Sequence, residues 1–188
     1  MMNTKEIFIK AGAFHKGHVE FKNGMHGDGW LQKDLVVKNP IFLDDVAKLQ
    51  AEKILESYPN VDLLMGPITG GAIIASHVAK YIHKEFGVIL GKQDPVLFHD
   101  MNIPTPGDKV VIVEDIISSG TDMKRYLNFF KEKNVEVVGV STWLNRQENI
   151  FNGVKVISLL GNNFNLFPKE ECPFCAKGEK IEFVNVRE

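Results

Sequence analysis

The chain has 188 residues, with 22 Lys and Arg against 24 Asp and Glu for a formal net charge of -2, and is 44% apolar and 24% charged. Such a composition suits one folded domain with a single buried core and excludes a disordered, fibrous or membrane-embedded chain. Near-zero net charge argues against broad electrostatic binding to nucleic acid, no apolar run approaches the roughly 18 to 20 residues of a spanning helix, and Met1-Met2-Asn3-Thr4-Lys5-Glu6 lacks an export pattern, so a cytoplasmic protein without nucleic-acid or membrane partners is expected.

Periodicity predicts a helix from Thr4 to Ala13, an extended stretch from His18 to Phe21 and a glycine-rich turn from Gly24 to Gly29. From Leu43 to Leu55, Val46, Leu49, Ile54 and Leu55 recur at helical spacing, and Asp44 and Asp45 suit the positive end of a first turn. Val61 to Met65 reads as a buried strand running into Gly66-Pro67-Ile68-Thr69-Gly70-Gly71, with a helix then expected from Ala72 to Lys84. Val88 to Leu90 is a further strand, followed by an irregular stretch punctuated by Pro95, Pro104, Pro106 and Gly107. Lys109 to Val113 is the strongest strand signal. It is expected to end at Glu114-Asp115, turn through Ser118-Ser119-Gly120-Thr121 and enter a helix reaching Lys133. Val135 to Val140 and Val154 to Leu159 complete the β-branched runs. Strands alternating with helices imply an α/β fold with a largely parallel sheet covered on both faces and function at the carboxyl ends of its strands.

Two strand-to-helix loops have the chemistry of phosphate sites. In the string Val110 to Thr121, a buried strand delivers two carboxylates, and a small hydroxyl-rich loop with one glycine then opens a helix. Backbone N–H groups at a helix start favour an anion, and Ser118, Ser119 and Thr121 add hydroxyl donors. Glu114 and Asp115 suit hydroxyls instead, because an ionised carboxylate only accepts hydrogen bonds and a ribose diol offers donors. The simpler alternative is a helix cap beside a solvated strand end. The loop from Gly66 to Gly71 permits close backbone approach, yet it lacks the Lys and Ser or Thr of a nucleotide P-loop and does not match G-x-G-x-x-G. Both loops fall at the same edge of one sheet, so two phosphate sites would face a single ligand.

A ligand with phosphate at each end and a diol between is phosphoribosyl pyrophosphate. The string from Val110 to Thr121 resembles the signature of type I phosphoribosyltransferases, and nearly the whole chain resembles orotate phosphoribosyltransferase in its compact bacterial and archaeal form. The resemblance implies that family's fold: a single domain over residues 1–188, with a mostly parallel central sheet flanked by helices and a small hood formed by residues 1–40 and 160–188. It implies that Glu114 and Asp115 hold the ribose hydroxyls and that Ile117, Ser118, Ser119, Gly120 and Thr121 bind the 5′-phosphate. Ile68, Thr69, Gly70 and Gly71 would meet the pyrophosphate, which arrives with Mg²⁺ bound through substrate and water rather than directly by protein.

Gly17 to His26 resembles the family's N-terminal segment, implying that Lys22 reaches the substrate region, and Trp30 falls where an aromatic residue lies beside the base. Leu144-Asn145-Arg146-Gln147-Glu148 resembles the family's Leu-Asp-Arg-x-Glu segment, implying that Arg146 contacts orotate together with Ser118. The family's mobile basic loop corresponds to residues 90–102, which are poor in cations. Lys92 matches one basic position and is the expected loop cation at the catalytic centre, Gly91 replaces an arginine, and His99 is a candidate helper. The expected activity is conversion of orotate and phosphoribosyl pyrophosphate to orotidine 5′-monophosphate and pyrophosphate, by a homodimer. The alternatives are transfer to a purine or another base, and a regulator that binds the sugar phosphate without turnover. The tail Pro168 to Cys175 resembles that of the compact orotate enzymes. Its C-x-x-C supplies only two of the four ligands a structural zinc wants, so Cys172 and Cys175 are read as free thiols, with a zinc completed by a histidine or a second subunit as the alternative.

Overall fold

The structure, a computed structural model, describes residues 2–91, 94–161 and 163–186. In chain order the elements are α1 (Thr4–Lys10), β1 (Phe14–Phe21), β2 (His26–Leu31), α2 (Asp34–Val37), α3 (Pro40–Ser57), β3 (Leu63–Pro67), α4 (Gly70–Ile82), β4 (Glu85–Leu90), β5 (Leu97–Phe98) and β6 (Lys109–Ile117). They continue with α5 (Thr121–Glu132), β7 (Glu136–Asn145), β8 (Ile150–Phe151), β9 (Val154–Ser158), β10 (Leu166–Phe167), α6 (Pro173–Ala176) and β11 (Phe183–Val186). None of the described helices is long and apolar enough to cross a membrane.

The large sheet has the order β5-β4-β3-β6-β7-β9-β8. Its five middle strands run parallel, and only the short edge strands β5 and β8 pair antiparallel. Alternation along β6 explains why both faces must be covered. Val111 and Val113 join one core with Leu43 and Val46 of α3 and Ile74 and Val78 of α4. Val110 and Ile112 join the other, with Met123, Leu127 and Phe130 of α5. Each such side chain contributes about 1.5 to 3 kcal/mol on burial, which is what holds the helices against the strands. Polar groups inside are matched: fully buried Trp143 donates through Nε1 to Gln50 Oε1 at 3.0 Å, and Gln50 Nε2 donates to Ser141 Oγ at 3.0 Å. A second, smaller sheet, β10-β2-β1-β11, is built from both ends of the chain.

Three sequence expectations are corrected. The turn from Gly24 to Gly29 is narrower, because antiparallel pairing of Glu20 with His26 and Val19 with Gly27 starts β2 at His26. α3 starts at Pro40, capped by Asn39, whose side chain accepts from the N–H groups of Ile41 and Phe42. Asp44 and Asp45 therefore lie beyond the first turn, and Asp44 instead accepts from Tyr81 and Lys80. β6 does not stop at the acid pair but runs to Ile117, because β7 extends beside it as far as Asn145. Thr142 Oγ1 donates to the Asp115 carbonyl at 2.8 Å and ties down the extra length.

Candidate active site

The carboxyl ends of β3 and β6 and the starts of α4 and α5 surround a cavity of about 650 Å³. Ile68, Thr69 and Gly70 line it from one loop and Glu114 to Gly120 from the other, and the rest of the wall includes Asn23, Lys33, Asp34, Asp122 and Tyr126. Neither α4 nor α5 has a side-chain cap. Both helix starts stand at the cavity without a side-chain cap, a setting that favours an anion, although the Thr121 N–H donates to Ser119 Oγ at 3.4 Å and Asp122 lies in the first turn of α5.

β6 delivers the acid pair. Asp115 is buried, accepts from the Ile116 N–H at 2.6 Å and forms an ion pair of 2.7 Å between Oδ1 and Lys33 Nζ. Glu114 Oε1 accepts from the Asp115 N–H at 2.9 Å. Burial and then the neighbouring Asp115 charge push the Glu114 carboxyl well above the ordinary carboxylate range. Burial pulls the Lys33 ammonium down, but the charge and hydrogen bond of Asp115, aided by Glu114, outweigh it and hold Lys33 above its usual value. The pair can thus accept hydrogen bonds from a diol while the ammonium offsets its charge.

The two loops abut. A Cβ on Gly70 would sit 2.3 Å from Asp115 Oδ2, so only glycine leaves that carboxylate in place. Gly120 enters α5 at φ 75°, a left-handed conformation that L side chains avoid, and its own Cβ would strike the Phe151 ring at 2.5 Å. Gln147 Nε2 donates to the Ser118 carbonyl at 2.6 Å and Ser119 Oγ donates to Thr121 Oγ1 at 3.1 Å, which fix the loop's shape.

The sequence candidates divide by position. Ile68, Thr69, Gly70, Glu114, Asp115, Ile117, Ser118, Ser119 and Gly120 line the cavity. Gly71 faces the other way, where a Cβ would meet Pro67 and the Val113 carbonyl, and exposed Thr121 stands just behind Ser119. Lys22 is exposed beside the lining residue Asn23. Trp30 stacks on His15 at 4.8 Å in the small sheet, and its indole Nε1 is buried with no hydrogen-bond partner. The Arg146 guanidinium lies over the rings of Phe21 at 5.2 Å and Phe164 at 5.5 Å and donates to the Gly29 carbonyl at 3.5 Å. Its backbone N–H donates to the Ile117 carbonyl at 2.9 Å, beside the cavity. His99 caps its own turn, accepting from the Met101 N–H through Nδ1 at 3.1 Å. Lys92 lies outside the described residues. Lys33, which lines the cavity and pairs with Asp115, is a candidate that the sequence does not single out. Gln32-Lys33-Asp34 has no motif of its own, and the carboxylate that gives Lys33 a role stands 82 positions away.

Residues 33–160 match the model of the phosphoribosyl transferase domain. Orotate phosphoribosyltransferase of Caldanaerobacter subterraneus subsp. tengcongensis is 30% identical over 175 residues, covering 92% of this chain and 90% of the relative. The fold superposes on the crystal structure of orotate phosphoribosyltransferase from Aeropyrum pernix with a TM-score of 0.66 at 18% identity, covering 85% of this chain and 94% of that one. Adenine phosphoribosyltransferase of Saccharomyces cerevisiae gives a TM-score of 0.63 at 16% identity, with 83% and 99% covered. One fold therefore spans enzymes named for a pyrimidine and for a purine.

Proposed function

The chain belongs to the phosphoribosyl transferase family and is a pentosyltransferase of the orotate type, and from that premise we propose that it makes orotidine 5′-monophosphate and pyrophosphate from orotate and phosphoribosyl pyrophosphate, within pyrimidine nucleotide biosynthesis. The observation that carries the reading is one cavity with two uncapped helix starts and an acid pair between them, which matches a ligand bearing phosphate at both ends and a diol in the middle. The near-full-length relative at 30% identity supports orotate as the base.

In this reading Ser118, Ser119, Gly120 and Thr121 bind the 5′-phosphate, with Ile117 beneath them. Glu114 and Asp115 hold the ribose hydroxyls, and the loop from Ile68 to Gly71 receives the pyrophosphate through the backbone N–H groups after Ile68, whose own N–H donates to the Ile89 carbonyl at 3.0 Å. The new bond joins orotate N1 to the anomeric carbon while the bond from that carbon to the pyrophosphate oxygen breaks, and the electron pair leaves with pyrophosphate. Positive charge then builds on the sugar next to the Asp115 carboxylate, a charge already in place that stabilises it without reorganising. Lys33 keeps the acid pair from being over-charged before substrate arrives, and we assign it a positioning role. Lys92 is proposed as the loop cation that meets the leaving group. Orotate lies between Ser118 and the small sheet, which serves as a hood, with Lys22, Trp30 and Arg146 around it. The unsatisfied Trp30 Nε1 is a donor waiting for an acceptor such as a base oxygen.

Mg²⁺ fits this cavity as an ion delivered with its substrate. Asp115 is already committed to Lys33, and burial makes a full charge on the neighbouring Glu114 costly, so these carboxylates do not form a protein-only cage. When bound, the ion neutralises charge on the departing pyrophosphate. The enzyme is proposed to work as a cytoplasmic homodimer. Incubation with phosphoribosyl pyrophosphate, Mg²⁺ and each of orotate, uracil, hypoxanthine and adenine, with detection of pyrophosphate and nucleotide, tests the function. Product with orotate alone is expected, and turnover of a purine without turnover of orotate would overturn it.

A further inference from the structure

Away from the cavity, four side chains with metal-ligating atoms converge: His18 of β1, His26 of β2, and Cys172 and Cys175 at the start of α6. Their ligand atoms all lie within 4.8 Å of one another. We propose that these residues form a structural zinc site that clamps the C-terminal tail onto the small sheet.

The distances fit a shared ion. With Zn–S of about 2.3 Å and Zn–N of about 2.05 Å, tetrahedral ligands stand roughly 3.3 Å apart for N and N and roughly 3.6 Å for N and S. Here His18 Nε2 lies 2.9 Å from His26 Nδ1, 3.5 Å from Cys172 Sγ and 3.6 Å from Cys175 Sγ, and Cys175 Sγ lies 3.3 Å from His26 Nδ1. The two shortest gaps would open by a few tenths of an ångström, and any pair near the 4.8 Å limit would close, to seat the metal.

Proton bookkeeping points the same way. His18 Nδ1 lies 3.0 Å from the Glu179 carbonyl, which can only accept, so Nδ1 carries the proton and Nε2 turns a lone pair inward. Without a metal, His26 must donate from Nδ1 to that lone pair. Its buried Nε2 is then a bare acceptor with no hydrogen-bond partner, facing the Glu20 carboxylate at 3.8 Å. With a metal, both inner nitrogens are ligands and both outer N–H groups point at oxygen, as metal-bound histidines ordinarily arrange. The mixed sulfur and nitrogen set selects zinc over the oxygen-seeking Mg²⁺ or Ca²⁺.

The fold supplies a reason for a clamp. Among the described residues the small sheet's own core cluster consists of buried Val19, Phe21 and Val186, while Leu31 of β2 packs into the main core, which leaves little apolar contact to hold a tail. Cys172 opens α6 with Pro173 behind it, is 1% exposed, and lies between β10, which pairs with β2, and β11, which pairs with β1. Phe183 of β11 in turn packs on His15 and Trp30. A metal here would fix the small sheet over the cavity while touching no substrate.

The test uses the full chain. Elemental analysis after purification under reducing conditions should find zinc stoichiometric with protein, and chelation should lower the melting temperature by roughly 5 to 10 °C, reversibly on adding zinc. Cobalt(II) added to the metal-free protein should give the visible bands of a tetrahedral site with thiolate charge transfer. Cys175→Ser and His26→Gln should weaken or abolish those bands, with circular dichroism checking that each variant is folded. Should a variant fail to fold, the wild-type cobalt spectrum decides. Absence of tetrahedral bands in the wild type, a melting temperature indifferent to chelator and zinc, or a Cys172–Cys175 disulfide in the intact mass of the reduced preparation would overturn the proposal. These readouts are independent of which base the enzyme uses.

Discussion

Replacing Lys33 by Met removes the cation that faces the acid pair while keeping most of the side-chain volume. At 2.7 Å and an effective dielectric constant of about 20, the attraction to Asp115 amounts to about 6 kcal/mol before desolvation is charged against it. The Lys33 side chain is 26% exposed and that of Asp115 only 8%, so the loss is screened on one side and the carboxylate left behind is not rehydrated. A destabilisation of about 2 to 3 kcal/mol follows, equivalent to a fall of roughly 5 to 10 °C in melting temperature for a chain of this size. Asp115→Asn loses the same ion pair but also removes the like charge beside Glu114, so it should cost less, about 1 kcal/mol. The double variant should then recover about 1 to 2 kcal/mol relative to the sum of the singles. Urea unfolding is the assay, since guanidinium would screen the charges being measured. Additivity within about 0.5 kcal/mol would refute the coupling and leave Lys33 a surface cation.

Glu114→Gln tests the other half of the pair. A folded-state carboxyl raised by burial and by Asp115 binds its proton more tightly than in the unfolded chain, so stability falls as pH rises from the ordinary carboxylate range through that raised value. The amide removes this cost: the variant should melt higher than the parent at mildly alkaline pH, gain little where both states are protonated, and use phosphoribosyl pyrophosphate less well; an equal shift at every pH would contradict the assignment. Gly70→Ala places a Cβ against Asp115 Oδ2 and should raise KM for phosphoribosyl pyrophosphate by roughly tenfold, about 1.4 kcal/mol, and, because the carboxylate it displaces is paired with Lys33, lower the melting temperature by a few degrees. Arg146→Ala should chiefly raise KM for orotate; equal loss toward both substrates would count against a base-reading role and in favour of its packing on Phe21 and Phe164.

What could be read in advance was chemistry held within one continuous string. Val110 to Thr121 carries strand, acids, loop and helix start in order, and all of it lands at one cavity or just behind it because a parallel β-to-α unit puts its turn at the sheet's carboxyl edge. The strand's true end was hidden because Glu114 and Asp115 look like a polar terminus, whereas the tie from Thr142 that extends β6 comes from 27 positions further on. The same distance problem explains the charge balance. Residues 90–102 read as poor in cations, with Lys92 the one lysine among them and outside the described residues, and among the described residues lining the cavity the one cation is Lys33, brought in beside α2 by a contact with no local signature. The C-x-x-C was visible as half a ligand set. Its other half depends on the pairing of β1 with β2, which turns two histidines eight positions apart toward one point, and on α6 folding back across 154 residues to meet them. Long-range register, which no window on the chain contains, decides both the positive charge at the cavity and the contacts that anchor the small sheet.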